Sequence, residues 1–199
     1  QMMTLSGMTE TLDRYDVFLL DQFGVLHNGQ TPYAESIRAL EVLQAAGKQV
    51  AIISNSGKRT SSNVRRMEAM GFAKGLYNEL ITSGEVAWHI MNAGTDAPVE
   101  RCFLITSAGD STPVDGLNLE LVDDSGDADI VLISGTEGDH YSLQHYREQL
   151  SAGAARGVPC MCTNPDKVAM LPSGRCFGAG RIADLYTELG GQVRWIGKP

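Results

Sequence analysis

Asp21 follows a short, almost wholly apolar run, Asp16–Leu20, and opens the segment Asp21-Gln22-Phe23-Gly24-Val25-Leu26-His27-Asn28-Gly29. A carboxylate just past a buried strand stands where open α/β sheets place their ligands. It can act there as a nucleophile, as a metal ligand, or as both. Gly24 and Gly29 let the backbone turn tightly and offer N–H groups that suit an anion. The same Asp21 could equally begin a turn by bonding the backbone that follows it.

A second cluster, Ser54-Asn55-Ser56-Gly57-Lys58-Arg59, follows the apolar run Gln49–Ile53. Hydroxyl and amide side chains ahead of a helix form a natural phosphate cradle, with Ser54 donating to a phosphoryl oxygen. Their plainer role is to cap that helix. A third cluster is Gly197-Lys198-Pro199, after the strand-like Val193–Ile196. A lysine at a strand end can neutralise a phosphoryl group or a carboxylate, and a terminal Gly-Lys-Pro can also be an exposed loop.

The elements that must carry these clusters alternate between strand and helix. Residues Ala34–Ala46 place Ile37, Leu40, Leu43 and Ala46 at helical spacing, and Gly47 follows as a C-cap. With the two apolar runs this makes a β-α-β unit, and runs of this kind suit parallel strands covered on both faces. A second helix is predicted over Ser61–Met70, ending at Gly71. Further strands are predicted at Cys102–Ile105, Ile130–Ile133, Pro159–Cys162 and Val193–Ile196, interleaved with helices at Gly84–Asn92, Leu143–Arg156 and Arg181–Leu189. Thr95–Pro98 and the acidic stretch Asp123–Asp129 read as loops, the latter as a solvated turn rather than a metal site. The fold class is therefore α/β.

The net charge of −8 argues against a nucleic-acid surface, which would cluster Lys and Arg. No apolar run approaches the roughly 18 residues that a membrane helix needs. No signal peptide is visible either, so a cytoplasmic protein without a membrane partner is expected. Cys160 and Cys162 form C-x-C without paired histidines, so the four cysteines are expected to be reduced thiols rather than zinc ligands.

Asp21, Ser54 and Lys198, each after a strand and in this order, resemble motifs I, II and III of the haloacid dehalogenase superfamily. The likeness sharpens to its class IIA, or NagD-like, branch. There motif I continues as G-V-L-x-x-G, matched by Gly24-Val25-Leu26-His27-Asn28-Gly29. A T-N-x-D segment, a G-x-G helix start and G-K-P follow, matched by Thr163-Asn164-Pro165-Asp166, Gly178-Ala179-Gly180 and Gly197-Lys198-Pro199.

The resemblance implies a Rossmann-like three-layer core with a parallel sheet, formed by residues 10–85 and 193–199, and an inserted C2-type α/β cap over 86–192. It implies a Mg²⁺-dependent phosphohydrolase acting on a small phosphorylated metabolite. Asp21 would form an aspartyl-phosphate, and Mg²⁺ would bind the Asp21 carboxylate and the Phe23 carbonyl. Ser54 and Lys198 would hold the phosphoryl oxygens, so that catalysis is mainly positioning and charge neutralisation. Gly24, Asn55 and Ser56 are the further phosphate-binding candidates. Asn164 and Asp166 are candidates for substrate contact, although a turn held by Asn-Pro-Asp explains them equally well. Caps of this type often contribute to dimers in relatives, so a homodimer is an expectation.

Two departures qualify the match. Most phosphatases of the family carry a second Asp two residues past the nucleophile, to protonate the leaving group; here that position is Phe23. Such general acid–base help is worth about 10²- to 10⁴-fold. A subgroup of class IIA proteins has an aromatic residue there. His27 is the nearest titratable side chain, either a substitute acid or an ordinary surface or core histidine. The second departure is that motif IV, the acidic pair completing the metal site, does not occur before Pro199. The sequence is therefore expected to be part of a longer protein, with its core sheet short at the C-terminal end and partly uncovered. The competing reading is a phospho-ligand-binding or regulatory protein that keeps the pocket without turnover. A dehalogenase is disfavoured by the G-V-L-x-x-G loop and the C2-type cap.

Overall fold

The first apolar run folds as β1 (Val17–Asp21), one residue further on than its composition predicts, so that Asp21 itself closes the strand. The computed structural model describes residues 8–94, 99–171 and 174–198; the Thr95–Pro98 loop and Pro199 lie outside them. After β1 come α1 (Ser36–Ala45), β2 (Gln49–Ser54), α2 (Thr60–Ala69) and β3 (Glu79–Thr82), a strand that the sequence pattern did not reveal. The chain divides into two units: the described residues through Ser54 with Thr60–Ile81, and Asn55–Arg59 with Thr82 onward.

In the first unit the three strands lie in the order β1-β2-β3. β1 and β2 are parallel, with Val17 opposite Gln49 and Asp21 opposite Ile53. Strand alternation sends Val50, Ile52 and Leu80 to one face, where they pack with Leu26, Leu40, Leu43, Met67 and Phe72 as a buried core. Val17 and Leu19 alternate to the other side and are 60% and 65% exposed.

The second unit continues with α3 (Ser83–Asn92), β4 (Arg101–Ile105), β5 (Glu120–Leu121), β6 (Ile130–Ile133), α4 (Leu143–Arg156) and β7 (Cys160–Cys162). The hairpin β8 (Val168–Leu171) and β9 (Gly174–Phe177) follows, then α5 (Ala179–Glu188) and β10 (Val193–Trp195). Five of these strands form one sheet in the order β10-β7-β6-β4-β5, and its pairs are parallel. Phe103, Ile105, Val131, Ile133, Cys160 and Cys162 pack in one cluster with Leu150, Ile182 and Tyr186 from α4 and α5. Cys102, Ile130, Leu132 and Met161 pack in a second with Ala87 of α3. Strands covered on both faces explain their unbroken apolar runs. Local signals set the helix ends. Thr82 caps α3 by accepting the Glu85 N–H at 3.1 Å, and Gly157 closes α4 in the left-handed region at φ 71°.

The unit boundaries differ from those expected at residues 82–85, which fall in the second unit with the start of α3, and in two further places. Val193–Trp195, expected with the first unit's core, lies in register with Cys160–Cys162 and completes the second unit's sheet. The Ile196 N–H then donates to the Cys162 carbonyl at 2.9 Å. Asn55–Arg59 groups with the second unit because it is tied there. Arg59 makes two 2.8 Å bonds to Glu85 and lies over the Trp88 ring at 4.1 Å. Ser56 accepts the Gly84 N–H at 3.0 Å.

Candidate active site

Asp21 and Ser54 end neighbouring parallel strands, and Ser54 is the residue after Asp21's partner Ile53. Parallel strands run about 4.8 Å apart, so β1 and β2 bring a carboxylate and a hydroxyl to the same edge of the first unit. One Asp21 oxygen, Oδ1, accepts the Gln22 N–H at 2.8 Å. Ser54 is buried.

The loop after Asp21 holds itself together. Gly24, at φ 85°, donates its N–H to the His27 carbonyl at 2.9 Å, and Leu26 donates to the Gln22 carbonyl at 2.9 Å. Gly24 therefore supplies the turn, and its N–H is already used within the loop. His27 Nδ1 accepts the Gly29 N–H at 2.9 Å. The histidine is 1% exposed and packs edge-on against Phe23 and Phe72. Burial lowers its pKa, the Arg66 guanidinium lowers it further, and the Asp21 carboxylate partly offsets both. Of the two roles open to His27, the structure thus gives the core one: a neutral ring with its proton on Nε2. Phe23 is 45% exposed and lies over Gly29, where an added Cβ would come 2.8 Å from its Cε2.

The chemistry of the donors suits a hard cation only in part. The Asp21 carboxylate and the Phe23 carbonyl are both oxygen donors of the kind Mg²⁺ takes, with waters filling the rest of its octahedron. No group of three or more His, Cys, Asp or Glu side chains that could hold a metal occurs among the described residues. The acidic stretch has local duties instead. Asp124 caps a short 3-10 turn by accepting the Gly126 N–H at 2.7 Å, and Asp129 accepts from Glu100 and Arg101 at 3.1 and 2.9 Å.

The remaining sequence candidates lie in the second unit, where hydrogen bonds link Asn55, Asn164, Asp166 and Lys198. Asn55 Nδ2 donates to Asp166 Oδ1 at 2.9 Å, and Asn55 Oδ1 accepts the Lys198 N–H at 2.7 Å. Asn164 Oδ1 accepts the Asp166 N–H at 3.3 Å, so Asn164 holds the turn of its own segment. Ser56 Oγ accepts the Lys58 N–H at 3.3 Å. The structure thus joins Asn55, Asp166 and Lys198, residues far apart in sequence, and accounts for Asn164 and Ser56 by local turns. Lys58, paired with Asp110 at 3.1 Å, is a loop residue that the sequence reading did not single out.

The four cysteines are unpaired as disulfides. Burial pushes Cys102 up to about 12 and Cys162 to about 11, and raises Cys160 as well. None of these three is a thiolate nucleophile at neutral pH.

The first unit thus closes two neighbouring parallel strands of an α/β chain on a carboxylate and a hydroxyl. Residues 18–120 match the haloacid dehalogenase-like hydrolase family, and the chain belongs to that family. A haloacid dehalogenase-like hydrolase from Brucella suis is 31% identical, with a TM-score of 0.85 over 96% of this chain and 69% of its own. Human chronophin is 25% identical over an alignment of 210 residues that covers 98% of this chain and 69% of chronophin. The fold is also that of a Mycobacterium tuberculosis glycerol phosphate phosphatase solved with magnesium. That protein is 22% identical, with a TM-score of 0.69 over 94% of this chain and 56% of its own.

Proposed function

We propose that this chain carries the nucleophile of a Mg²⁺-dependent phosphohydrolase of the NagD-like class, acting on a small phosphorylated metabolite. The observation that carries the reading is the pairing of β1 with β2, which puts Asp21 and Ser54 on one strand edge. An Asp21 carboxylate oxygen attacks phosphorus while the bond from phosphorus to the leaving oxygen breaks. Water then attacks the aspartyl-phosphate and releases inorganic phosphate, returning the carboxylate. Ser54 donates to a phosphoryl oxygen, and Lys198 supplies the cation that motif III implies. The Asp21 carboxylate and the Phe23 carbonyl would hold Mg²⁺, which supplies charge neutralisation of the phosphoryl group.

On this reading the first unit belongs to the catalytic core and the second to the C2-type insert. Phe23 marks the subgroup with an aromatic residue in place of the second Asp. Neither Phe23 nor the buried, neutral His27 protonates a departing alkoxide, so the enzyme prefers leaving groups that depart as anions. The magnesium-bound fold relative and the family match support the chemistry. Release of phosphate from an aryl phosphate with Mg²⁺, lost in Asp21→Asn, tests it. Phosphate binding without turnover would mark a binding protein instead.

A further inference from the structure

Lys198 is held by an amide bridge whose two ends have opposite demands. The Asp166 carboxylate only accepts hydrogen bonds, and the Lys198 backbone N–H only donates one. Asn55 meets both, with Nδ2 on Asp166 at 2.9 Å and Oδ1 on Lys198 at 2.7 Å. This fixes the orientation of the amide, since a flipped side chain would face a carboxylate with its oxygen.

Each partner is itself immobilised. Asp166 accepts the Gly180 N–H on its carbonyl at 3.0 Å and donates its own N–H to Asn164 at 3.3 Å. An added Cβ at Gly178 would meet the Asp166 carbonyl oxygen at 2.1 Å, and one at Gly180 the Pro165 oxygen at 2.1 Å, so the start of α5 is pressed against this segment. Lys167 bonds Asp184 of α5 at 2.6 Å and lies over the Trp195 ring at 4.1 Å. On the other side, Gly197 at φ 139° leaves space for Asn55 Oδ1 and the Pro165 ring, which a Cβ would meet at 2.7 and 2.8 Å.

We infer that Asn55 and Asp166 are positioning residues that fix the backbone of Lys198, rather than residues that contact phosphate or substrate. The kinetic part of this inference rests on the role proposed above for Lys198; the structural part does not. Three segments, 55–59, 163–166 and 197–198, meet in one side chain, so the T-N-x-D segment acts on catalysis through the lysine that follows β10.

The test uses the full-length protein and three kinds of variant. Asn55→Asp and Asp166→Ala each break the bridge. The exchange Asn55→Asp with Asp166→Asn restores one donor and one acceptor in the right order. Lys198→Ala removes the side chain being positioned. Amide hydrogen exchange at Lys198 should accelerate in each single variant and return toward the parent rate in the exchanged pair. Turnover of an aryl phosphate should fall about 10- to 100-fold in each single variant, as misplacement of a catalytic group does, and recover in the pair. In a Lys198→Ala background Asp166→Ala should cost nothing further. Unchanged Lys198 exchange in the folded single variants overturns the bridge, and an undiminished loss in the Lys198→Ala background overturns its action through that lysine. If Lys198→Ala alone leaves turnover intact while the exchange rates behave as stated, the bridge stands. The catalytic role of Lys198 then fails, and the kinetic part of the inference with it.

Discussion

His27 Nδ1 accepts the Gly29 N–H at 2.9 Å, which fixes the neutral tautomer of a buried histidine two residues from its partner. Because burial lowers the pKa of His27 below its usual value of about 6.5, the unfolded chain takes up this proton first as pH falls. The stability that the neutral ring contributes is complete above about pH 6.5 and declines as pH drops toward the folded pKa. Denaturant unfolding between pH 7.5 and 5 (about neutral to mildly acidic) should show this loss, and His27→Asn, which keeps an acceptor for Gly29, should not show it. His27→Ala leaves that N–H without its partner and should cost about 2–3 kcal/mol.

Gly180 gives a prediction of opposite sign to helix propensity. It lies in the first turn of α5, where Ala would ordinarily favour the helix by about 1 kcal/mol. An added Cβ instead meets the Pro165 carbonyl oxygen at 2.1 Å, a backbone atom that cannot swing aside. Gly180→Ala should therefore destabilise the protein by about 2–4 kcal/mol, read as a lower denaturation midpoint. A neutral or stabilising result would mean that α5 and the 163–166 segment are not packed this closely.

Phe23 is the position at which the leaving-group preference can be moved. Its half-exposed ring can be replaced without emptying a core. Phe23→Asp should raise turnover of alkyl phosphates, by as much as about 10²- to 10⁴-fold, while aryl phosphates change little. Equal rates on both classes in the parent enzyme would contradict the account of a missing acid.

Most helices and strand ends could be read locally. Gly157 stops α4 where its apolar spacing ends, and Gln49–Ser54 is apolar enough to be a buried strand without help. β3 was not legible, because Glu79–Thr82 is four residues long and opens on a charge. The β8–β9 hairpin was missed for a similar reason: Val168–Leu171 and Gly174–Phe177 are held by their own antiparallel pairing, which leaves no strong periodic signal. β10 is legible as a strand, but its sheet is decided by register with Cys160–Cys162 and not by its own residues.

The candidate site divides in the same way. Asp21 and Ser54 followed from their places after apolar runs. Asn55 and Asp166 were singled out by motif, but their bond spans 111 residues and the one from Asn55 to Lys198 spans 143, so no local pattern could say that they bind one another.

The most direct test of the proposed chemistry is to quench the full-length enzyme in acid during turnover of an aryl phosphate with Mg²⁺ and map the peptides by mass. A phosphoryl group on the peptide that carries Asp21, absent from Asp21→Asn, is the predicted result. Steady phosphate release with no adduct on that peptide, or release that survives in Asp21→Asn, would contradict the assignment of Asp21 as the phosphoryl acceptor.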